Sequence, residues 1–304
     1  MTLGLDNPEA LIAQYGRSFH LASRFLPRHA RERAIRLYGF CRLLDDLADG
    51  SGSSEAGRRE LNALLENWSD AEHPLLQAYR RLNLRDDAPA RALVAALAAD
   101  TGPRQLATWE ALIQYAHGVA GTVGLMMAEI LGATDDSAPR HALDLGMAMQ
   151  LINIARDVTE DAKRDRVYVP AAWLPADLTP AAILREPERA WPAVSRLINA
   201  AEPYFASGFA GLRYLPPSAR RGIWIAGRVY REIGQRVLQR GPSGLRERAI
   251  VSARRKFSLA ARSRLAPTSR TPWGGSGDHH SSRLHADLTG YCGVASRDEP
   301  GKSL

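Results

Sequence analysis

Two pairs of aspartates have a spacing that suits cation binding. Asp45 and Asp49 lie in the run RLLDDLAD, and Asp157 and Asp161 lie in NIARDVTED. In a helix, residues four apart lie on the same face one turn above each other, where like charges repel. Hard divalent cations such as Mg2+ take carboxylate oxygens and leave the other positions to water and phosphate. The pairs therefore predict a Mg2+-diphosphate site, with ordinary solvated helix surfaces as the alternative.

Further polar residues extend each pair into a stripe at helical spacing. They are Tyr38 and Arg42 on the first helix, and Gln150 and Asn153 on the second. The run LDLGMAMQLINIA, which leads into the second stripe, is almost wholly apolar and predicts a buried helix. Because burying a carboxylate without a partner is costly, this context favours a bound metal over a solvated surface.

The composition bounds the class of protein. A chain of 304 residues with 45% hydrophobic content can bury a large core in one large domain or two smaller ones. No uninterrupted run of 18 apolar residues exists, so no membrane-spanning helix is expected. The N-terminus has no apolar segment typical of a signal peptide. Cys41 and Cys292 form neither a disulfide framework nor a zinc pattern, and together these features predict a cytoplasmic protein.

The net charge of +7 is unevenly distributed. Residues 213–270 contain 15 lysines and arginines but only Glu232 and Glu247. A solvated basic face and peripheral contact with the anionic inner surface of a membrane are both compatible with this pattern. No nucleic acid partner is expected, because the region lacks a recognisable nucleic-acid-binding motif and its apolar residues suggest a packed helix.

The chain is predicted to be all-α, since helix formers dominate and β-alternation is absent. Helices are predicted at 28–48, 55–69, 72–83, 88–100, 104–131, 138–165, 189–212, 217–240 and 244–266. Only 166–169 is briefly strand-like. From about Pro267 the sequence becomes rich in Gly, Ser and His, which predicts a folded domain at 1–267 and a disordered polar tail at 268–304. His279, His280 and His285 in that tail could bind metal only adventitiously.

The segment HGVAGTVG, from His117 to Gly124, places three glycines in a predicted helix. Each costs about 1 kcal/mol relative to Ala in a helix interior. Small side chains permit close approach either of another helix or of a long ligand. Both interpretations remain open at this stage.

Five segments together resemble the squalene/phytoene synthase family of head-to-head prenyl synthases, most closely its bacterial phytoene synthases. They are RSFHLASRFLP (17–27), RAIRLYGFCRLLDDLAD (33–49), YAHGVAGTVGLMM (115–127), MQLINIARDVTEDAKRDRVYVP (149–170) and IAGRVYREI (225–233). The resemblance covers about residues 12–262. It implies an isoprenoid-synthase helical bundle around a central apolar cavity, with both acidic helices at its mouth.

The resemblance also implies roles for individual residues. Asp45, Asp49, Asp157 and Asp161 match the aspartates that act in catalysis and bind metal, and Asn153 matches a metal ligand beside them. Tyr115 matches an active-site tyrosine near the reacting carbons. The positions that hold diphosphate or line the channel are matched by Tyr15, Arg17, Ser18, Tyr38, Arg42, Gln150, Arg156 and Tyr230. His117 departs from the Tyr or Arg often found there and receives no role.

The implied reaction joins two geranylgeranyl diphosphates into phytoene through a cyclopropyl diphosphate, as the first step of carotenoid biosynthesis. Mg2+, or Mn2+ in its place, is the expected cofactor, and NADPH is not expected. The alternative is a C30 synthase that makes dehydrosqualene, squalene or a hydroxysqualene-pathway intermediate from farnesyl diphosphate. A chain-elongating or cyclising enzyme fits the run NIARDVTEDAKRDR less well. A non-catalytic protein that binds membrane or nucleic acid does not explain the matched polar positions.

Overall fold

The computed structural model is a bundle of helices, and it describes residues 8–49, 53–247, 249–252, 255, 258–259 and 280–294. The α-helices are α1 Pro8–Tyr15, α2 Arg17–Ser23, α3 Arg28–Ala48, α4 Ser54–Glu66, α5 Pro74–Arg80, α6 Ala88–Ala99, α7 Trp109–Ala116, α8 Thr122–Ile130, α9 Ala138–Ala162, α10 Pro180–Arg185, α11 Trp191–Ala210 and α12 Pro217–Arg240. Two short strands, β1 Arg104–Gln105 and β2 Arg166–Val167, pair in parallel.

The all-α prediction is confirmed, and most long helices lie within a few residues of their predicted bounds. The prediction of a helix from 104 was wrong at its start, because the backbone N–H of Arg104 donates to Asp165 and that of Leu106 to Val167. The helix predicted over 244–266 was wrong at its start, although residues 255 and 258–259 are helical. A 3-10 turn, Pro242–Arg246, follows α12, and residues 249–252 are not helical. The short helices α1, α2 and α10 were not predicted.

Helix α9 is the central element of the bundle. It packs against α8, α11 and α12. Its buried residues, which include Leu143, Leu145, Met147 and Ile152, point in several directions around the helix. A helix that is apolar nearly all round must be surrounded by protein, and this explains why its polar stripe is confined to one end.

The glycine-rich segment lets α8 and α9 approach each other at backbone distance. A Cβ added at Gly124 would overlap the carbonyl oxygen of Ala142, and one added at Gly146 would overlap that of Ala120. Just before α8, His117–Gly121 forms a π-helical turn. Close helix packing therefore accounts for the small residues, although Val119, Ala120 and Val123 also line a cavity.

Residues 280–294 lie against the helical body, which corrects the predicted disordered tail for this part of the chain. Leu288 is fully buried in the main core, and the hydroxyl of Tyr204 donates to the carbonyl of Leu284 at 3.0 Å. His117, which had no predicted role, places Nε2 3.0 Å from the carbonyl oxygen of Cys292. Residues 260–279 and 295–304 lie outside the described residues, so the division at 267 stays a prediction.

One stretch of the described residues, Trp109–Ile130, is long and apolar enough to cross a membrane on length and composition alone. The sequence prediction counted only uninterrupted apolar runs and therefore did not single it out. In this fold the stretch comprises α7, the π-helical turn and α8, and it packs along α6 and α9. Its apolar side chains therefore have partners within the bundle.

Candidate active site

A long cavity of about 320 Å³ runs through the bundle beside α9. Along α9 it extends from Ala138 to Asn153, which corresponds to about four helical turns or roughly 22 Å. One end is apolar and includes Leu131, Leu212 and Leu215. The other end is polar, and five predicted site residues line it: Tyr38, Asp45, Gln150, Asn153 and Tyr230. The arrangement suits a long apolar chain with a polar head.

Helix α3 presents the first acidic pair. It buries Leu37, Phe40 and Leu44 in the core, and Asp45 on an adjacent face lines the cavity. The Asp45 side chain is exposed to solvent, although many protein atoms lie around its carboxylate. This desolvation raises the pKa of Asp45 to about 7, with Asp49 and two further aspartates adding to the rise and Arg42 opposing it. Asp45 is therefore a carboxylate that a cation would stabilise.

Asp49 connects the two acidic motifs. Its Oδ2 is 2.8 Å from Nη1 of Arg164, and its Oδ1 is 2.9 Å from Nη1 of Arg166. Both arginines follow α9 directly, and Arg166 is held in place by strand β2. Neither was assigned a role from the sequence, although the charged run RDR after the second motif was the available signal. These pairs place the end of α3 beside the end of α9, as the resemblance implied.

The second acidic pair lies on the last turns of α9. Arg156 forms a bidentate pair with Asp157, with Nε 2.8 Å from Oδ1. Burial raises the pKa of Asp161 to about 7, and the charge of Asp157 adds to the rise, while Arg166 and Arg164 lower it. Like Asp45, Asp161 is therefore costly to ionise when no cation is bound.

Asn153 has an orphaned polar atom at the polar end of the cavity. Its amide nitrogen donates to Oε1 of Gln150 at 3.3 Å, which leaves its oxygen to face elsewhere. That Oδ1 atom is buried without a hydrogen-bond partner among the described residues. A buried acceptor without a donor is destabilising, whereas a cation would satisfy it. The carboxylates and this amide oxygen are an oxygen-only donor set, which fits a hard divalent cation.

A further acidic residue, Asp100, lies near both pairs and was not predicted. Its Oδ2 accepts hydrogen bonds from the hydroxyls of Tyr168 at 2.7 Å and Tyr115 at 3.0 Å. The rings of these tyrosines stack with centroids 4.7 Å apart. The charge of Asp100 raises the pKa of both Asp45 and Asp161. A lone aspartate at the end of an alanine-rich helix gave no sequence signal, because only the fold brings it to the site.

The remaining predicted residues lie around the polar end. Arg42 pairs with Asp46 on its own helix, and its guanidinium lies 4.7 Å from the ring centre of Tyr15. Ser18 is half-buried on α2. Arg17 begins α2, but its side chain lies outside the described part of the structure. Tyr115 is not among the residues that line the cavity, and its contacts are with Asp100, Tyr168 and Arg104.

Phe19 is a further residue that the prediction missed. Its ring lies 6.3 Å from that of Tyr38 and 5.5 Å from that of Tyr230, measured between centroids. It lines the cavity with both tyrosines. Burial raises the pKa of Tyr38 to about 12, so its hydroxyl remains protonated at neutral pH and available as a donor. An aromatic group therefore borders the polar head region.

Residues 12–255 match the squalene/phytoene synthase family. The chain belongs to this family. It is 36% identical to a 15-cis-phytoene synthase from Paracoccus sp., over 86% of this chain and 93% of that one. It is 35% identical to a phytoene synthase from Pseudescherichia vulneris, over 84% of this chain and 89% of that one. The family assignment made from the five sequence segments is confirmed.

Solved structures place the fold in the same family. A dehydrosqualene synthase aligns with a TM-score of 0.75 at 26% identity, covering 86% of this chain and 96% of that one. Squalene synthase HpnC from Alicyclobacillus acidocaldarius aligns with a TM-score of 0.65 at 26% identity, covering 78% and 94%. The all-α isoprenoid-synthase bundle is therefore shown. The chain is a transferase-type enzyme by family, and its cavity with one acidic end is the candidate active site.

Proposed function

We propose that this enzyme is a phytoene synthase, which joins two geranylgeranyl diphosphates head to head through a cyclopropyl diphosphate. The observation that carries the proposal is the cavity beside α9, which spans about four turns, is mostly apolar, and has Asp45, Gln150 and Asn153 at its polar end. The phytoene synthases to which the chain is 31–36% identical support the C20 substrate. The reaction is the first committed step toward carotenoids.

Mg2+ is the proposed cofactor, and Mn2+ is a chemically similar substitute. Its ligands would come from Asp45, Asp49, Asn153, Asp157 and Asp161. The raised pKa values of Asp45 and Asp161 and the orphaned Oδ1 of Asn153 support this assignment. When bound, Mg2+ neutralises negative charge on the diphosphate leaving group. The same assignment explains why repelling carboxylates are tolerated here.

The protein's own cations would complete the diphosphate site. Arg156, Arg164 and Arg166 lie beside the carboxylates, and Arg42 lies on the facing helix. As the C1–O bond breaks, its electron pair leaves with diphosphate, and fixed positive charges stabilise that developing charge most strongly in a dry site. Tyr38, Gln150 and Tyr230 would orient the head, because they line the same polar end, and Ser18 on α2 is proposed to assist them.

The apolar wall would protect the allylic cation from water. The C2–C3 double bond of the second substrate attacks C1 of the cation, and loss of a proton closes the cyclopropane. Loss of the second diphosphate, rearrangement and loss of another proton give the conjugated triene of phytoene. No hydride enters this sequence, so NADPH is not required. Tyr115 is proposed to act near the reacting carbons with its ring held by Tyr168 and Asp100.

A C30 product from farnesyl diphosphate is the second candidate. The solved structures with the same fold include a dehydrosqualene synthase and a squalene synthase, which favours this alternative. The two candidates differ in the chain length that the apolar end of the cavity accepts, and a squalene product would also need a hydride. Leu131, Leu212 and Leu215 would set that length.

The test supplies the purified enzyme with equal amounts of labelled farnesyl and geranylgeranyl diphosphate, with Mg2+, in the presence and absence of NADPH. We expect a C40 triene in both reactions and none when Mg2+ is chelated. A C30 hydrocarbon as the main product would replace the C20 assignment. A more reduced hydrocarbon that appears only with NADPH would indicate a squalene-type reaction. No hydrocarbon with either substrate would contradict the proposed function.

We also propose that the enzyme works in the cytoplasm, at the surface of the inner membrane. Arg228 and Arg221 lie over the rings of Trp224 and Phe25, at 5.6 and 4.6 Å from their centroids. Half-buried aromatic rings covered by arginines suit a headgroup region. Other arginines of α12 are instead neutralised, since Arg231 pairs with Glu202 and Arg236 with Glu232. We therefore expect weak vesicle binding that depends on anionic lipid and decreases with salt. Equal binding to neutral vesicles would contradict it.

A further inference from the structure

A second cluster of metal-binding side-chain types lies away from the diphosphate end of the cavity. Asp144, in the first half of α9, has a fully buried side chain. Its Oδ2 is 2.8 Å from Nδ1 of His280, and its Oδ1 is 2.8 Å from Nε2 of His285. Both histidines belong to the segment 280–294, which follows the main bundle in sequence.

We propose that Asp144, His280 and His285 bind a divalent transition-metal ion, with Zn2+ as the best fit. One ligand atom from each residue lies within 4.8 Å of the others. Two imidazole nitrogens and one carboxylate oxygen form a three-ligand zinc set, in which water takes the fourth position. Imidazole nitrogen favours Zn2+ and other transition-metal ions over Mg2+. The cluster thus differs in chemistry from the oxygen-only site at the other end of α9.

Burial of the carboxylate gives a physical reason for a cation. The ion-pair partners of Asp144 within the described ranges are the two histidines, and an imidazole carries positive charge only when protonated. With neutral imidazoles, the carboxylate accepts hydrogen bonds but no cation neutralises its buried charge, which is costly. A metal ion would supply that charge while both histidines remain neutral.

Outer groups hold the carboxylate in position. The hydroxyl of Ser207 on α11 hydrogen-bonds to Oδ2 of Asp144, and Nδ1 of His141 lies 2.9 Å from the same hydroxyl. Hydrogen bonds of this kind fix the orientation of metal ligands in characterised sites. The chain Asp144–Ser207–His141 therefore provides a preformed support that a chance meeting of surface histidines lacks.

The consequence of metal binding would be to anchor the segment 280–294. That segment already inserts Leu288 into the core and places the carbonyl of Cys292 against His117. Because His280 and His285 come from the segment and Asp144 from the bundle, the ion would link two parts of the chain that are far apart in sequence. An ion that binds only the folded state raises the stability of that state.

The experiment uses the full chain without a histidine tag, stripped of metal and kept in excess Mg2+ to occupy oxygen-only sites. Zn2+ is titrated against a chromophoric chelator for the wild type and for His280→Asn with His285→Gln. The new amide nitrogens lie near the positions of Nδ1 and Nε2, so they donate to Asp144 but do not coordinate metal well. His29→Asn, which alters an exposed histidine outside the cluster, is the matched control.

We expect the wild type and the His29→Asn control each to bind one Zn2+ per chain, and the double variant to bind none. Adding Zn2+ should raise the Tm of the wild type and the control only. Ser207→Ala should weaken Zn2+ binding about tenfold. Each single histidine variant is measured too, in case the double variant does not fold. Equal Zn2+ stoichiometry and affinity in the wild type and the histidine variants would overturn the proposal. Failure of the wild type to bind Zn2+ above the double variant would do the same. Neither result depends on whether the enzyme makes phytoene.

Discussion

The two halves of helix α9 hold carboxylates in opposite ways. Near its start, Asp144 is fully buried, and burial alone would oppose its ionisation. Hydrogen bonds from His280 and His285 nevertheless hold its pKa below the ordinary value. Near its end, Asp161 is only partly buried, yet desolvation and the charge of Asp157 raise its pKa to about 7. The more exposed carboxylate is therefore the less stable anion.

The difference lies in what the chain provides around each group. Asp144 has three donors from two segments, α11 and 280–294, so hydrogen bonds within the protein stabilise its charge. Asp161 and Asp45 face other aspartates, and their arginine neighbours only partly offset this. A carboxylate that the protein leaves undercompensated is prepared for a cation from outside, which is the expectation for a site that binds diphosphate with Mg2+.

The largest effect that tests this comparison is on turnover. Asp161→Asn keeps the shape of the side chain but removes the charge, and it should lower kcat about a hundredfold or more. Asp45→Asn, Asp49→Asn and Asp157→Asn should act similarly. The measurement is product formation from geranylgeranyl diphosphate at saturating Mg2+, with the circular dichroism spectrum as the check on folding.

Glu160→Gln is the matched control, because Glu160 lies on the same turn of α9 but is exposed and pairs with Lys163. It should retain near wild-type kcat. A folded Asp161→Asn enzyme that is as active as Glu160→Gln would show that the end of α9 is an ordinary charged surface.

A smaller effect is expected at Asp100, where two tyrosines donate to one oxygen. Tyr115→Phe should lower kcat by roughly tenfold, because it changes a group proposed to lie near the reacting carbons. Each of Tyr115→Phe and Tyr168→Phe removes a hydrogen bond to the same buried carboxylate and should lower the free energy of unfolding by about 1–3 kcal/mol, so only the effect on kcat should differ. Steady-state kinetics and urea denaturation of both variants separate the two roles. Identical profiles for the two variants would contradict the assignment of Tyr115.

Much of the candidate site was predictable because it depends on spacing along single helices. Asp45 and Asp49 share a face of α3, and Asn153, Asp157 and Asp161 follow on α9, so helical periodicity alone grouped them. The order of the five segments then indicated the family. Periodicity along one helix does not indicate which separate helices and strands come into contact.

The missed residues all depend on such meetings. Asp100 reaches the site only because α6 ends beside the short β1–β2 pair, and two-residue strands leave almost no pattern in a sequence. The segment 280–294 was assigned to a disordered tail from its Gly, Ser and His content. A high content of Gly, Ser and His indicates low burial on average. In this segment, however, individual apolar and imidazole side chains pack against the bundle, and Leu288 and His285 are buried.

The contacts between Asp144 and the segment 280–294 predict that the protein loses stability when that segment is weakened or removed. Leu288→Ala should cost about 2–5 kcal/mol, the usual range for a fully buried leucine. Truncation after residue 279 should lower Tm at least as much, since Asp144 would then lose both histidines. The activity of the truncated chain at low temperature should persist, because the segment contributes none of the predicted site residues. Thermal denaturation of the truncated and full-length proteins is the measurement, with truncation after 294 as the control. Equal Tm values would show that the segment is dispensable.

The smallest effect expected is a pH dependence of stability that the acidic end alone should produce. In the unfolded chain an aspartate has a pKa of about 3.9, whereas Asp45 in the folded chain has a pKa of about 7. Between these values the folded state binds more protons than the unfolded state, so the free energy of unfolding should fall as pH rises from about 4 to 7. Desolvation is the main cause, with Asp49, Asp46 and Asp100 adding to it and Arg42 opposing it.

Asp45→Asn should remove part of this slope, and so should Mg2+ added to the wild type, because either one removes the uncompensated charge. Urea denaturation in chelator at several pH values measures both, and the difference between wild type and variant cancels groups such as Asp144 that titrate elsewhere. If the free energy of unfolding depended on pH in the same way in the wild type and in Asp45→Asn from about pH 5 to 8, the charge of Asp45 would already be compensated within the protein. The contrast between the two ends of α9 would then not extend to α3.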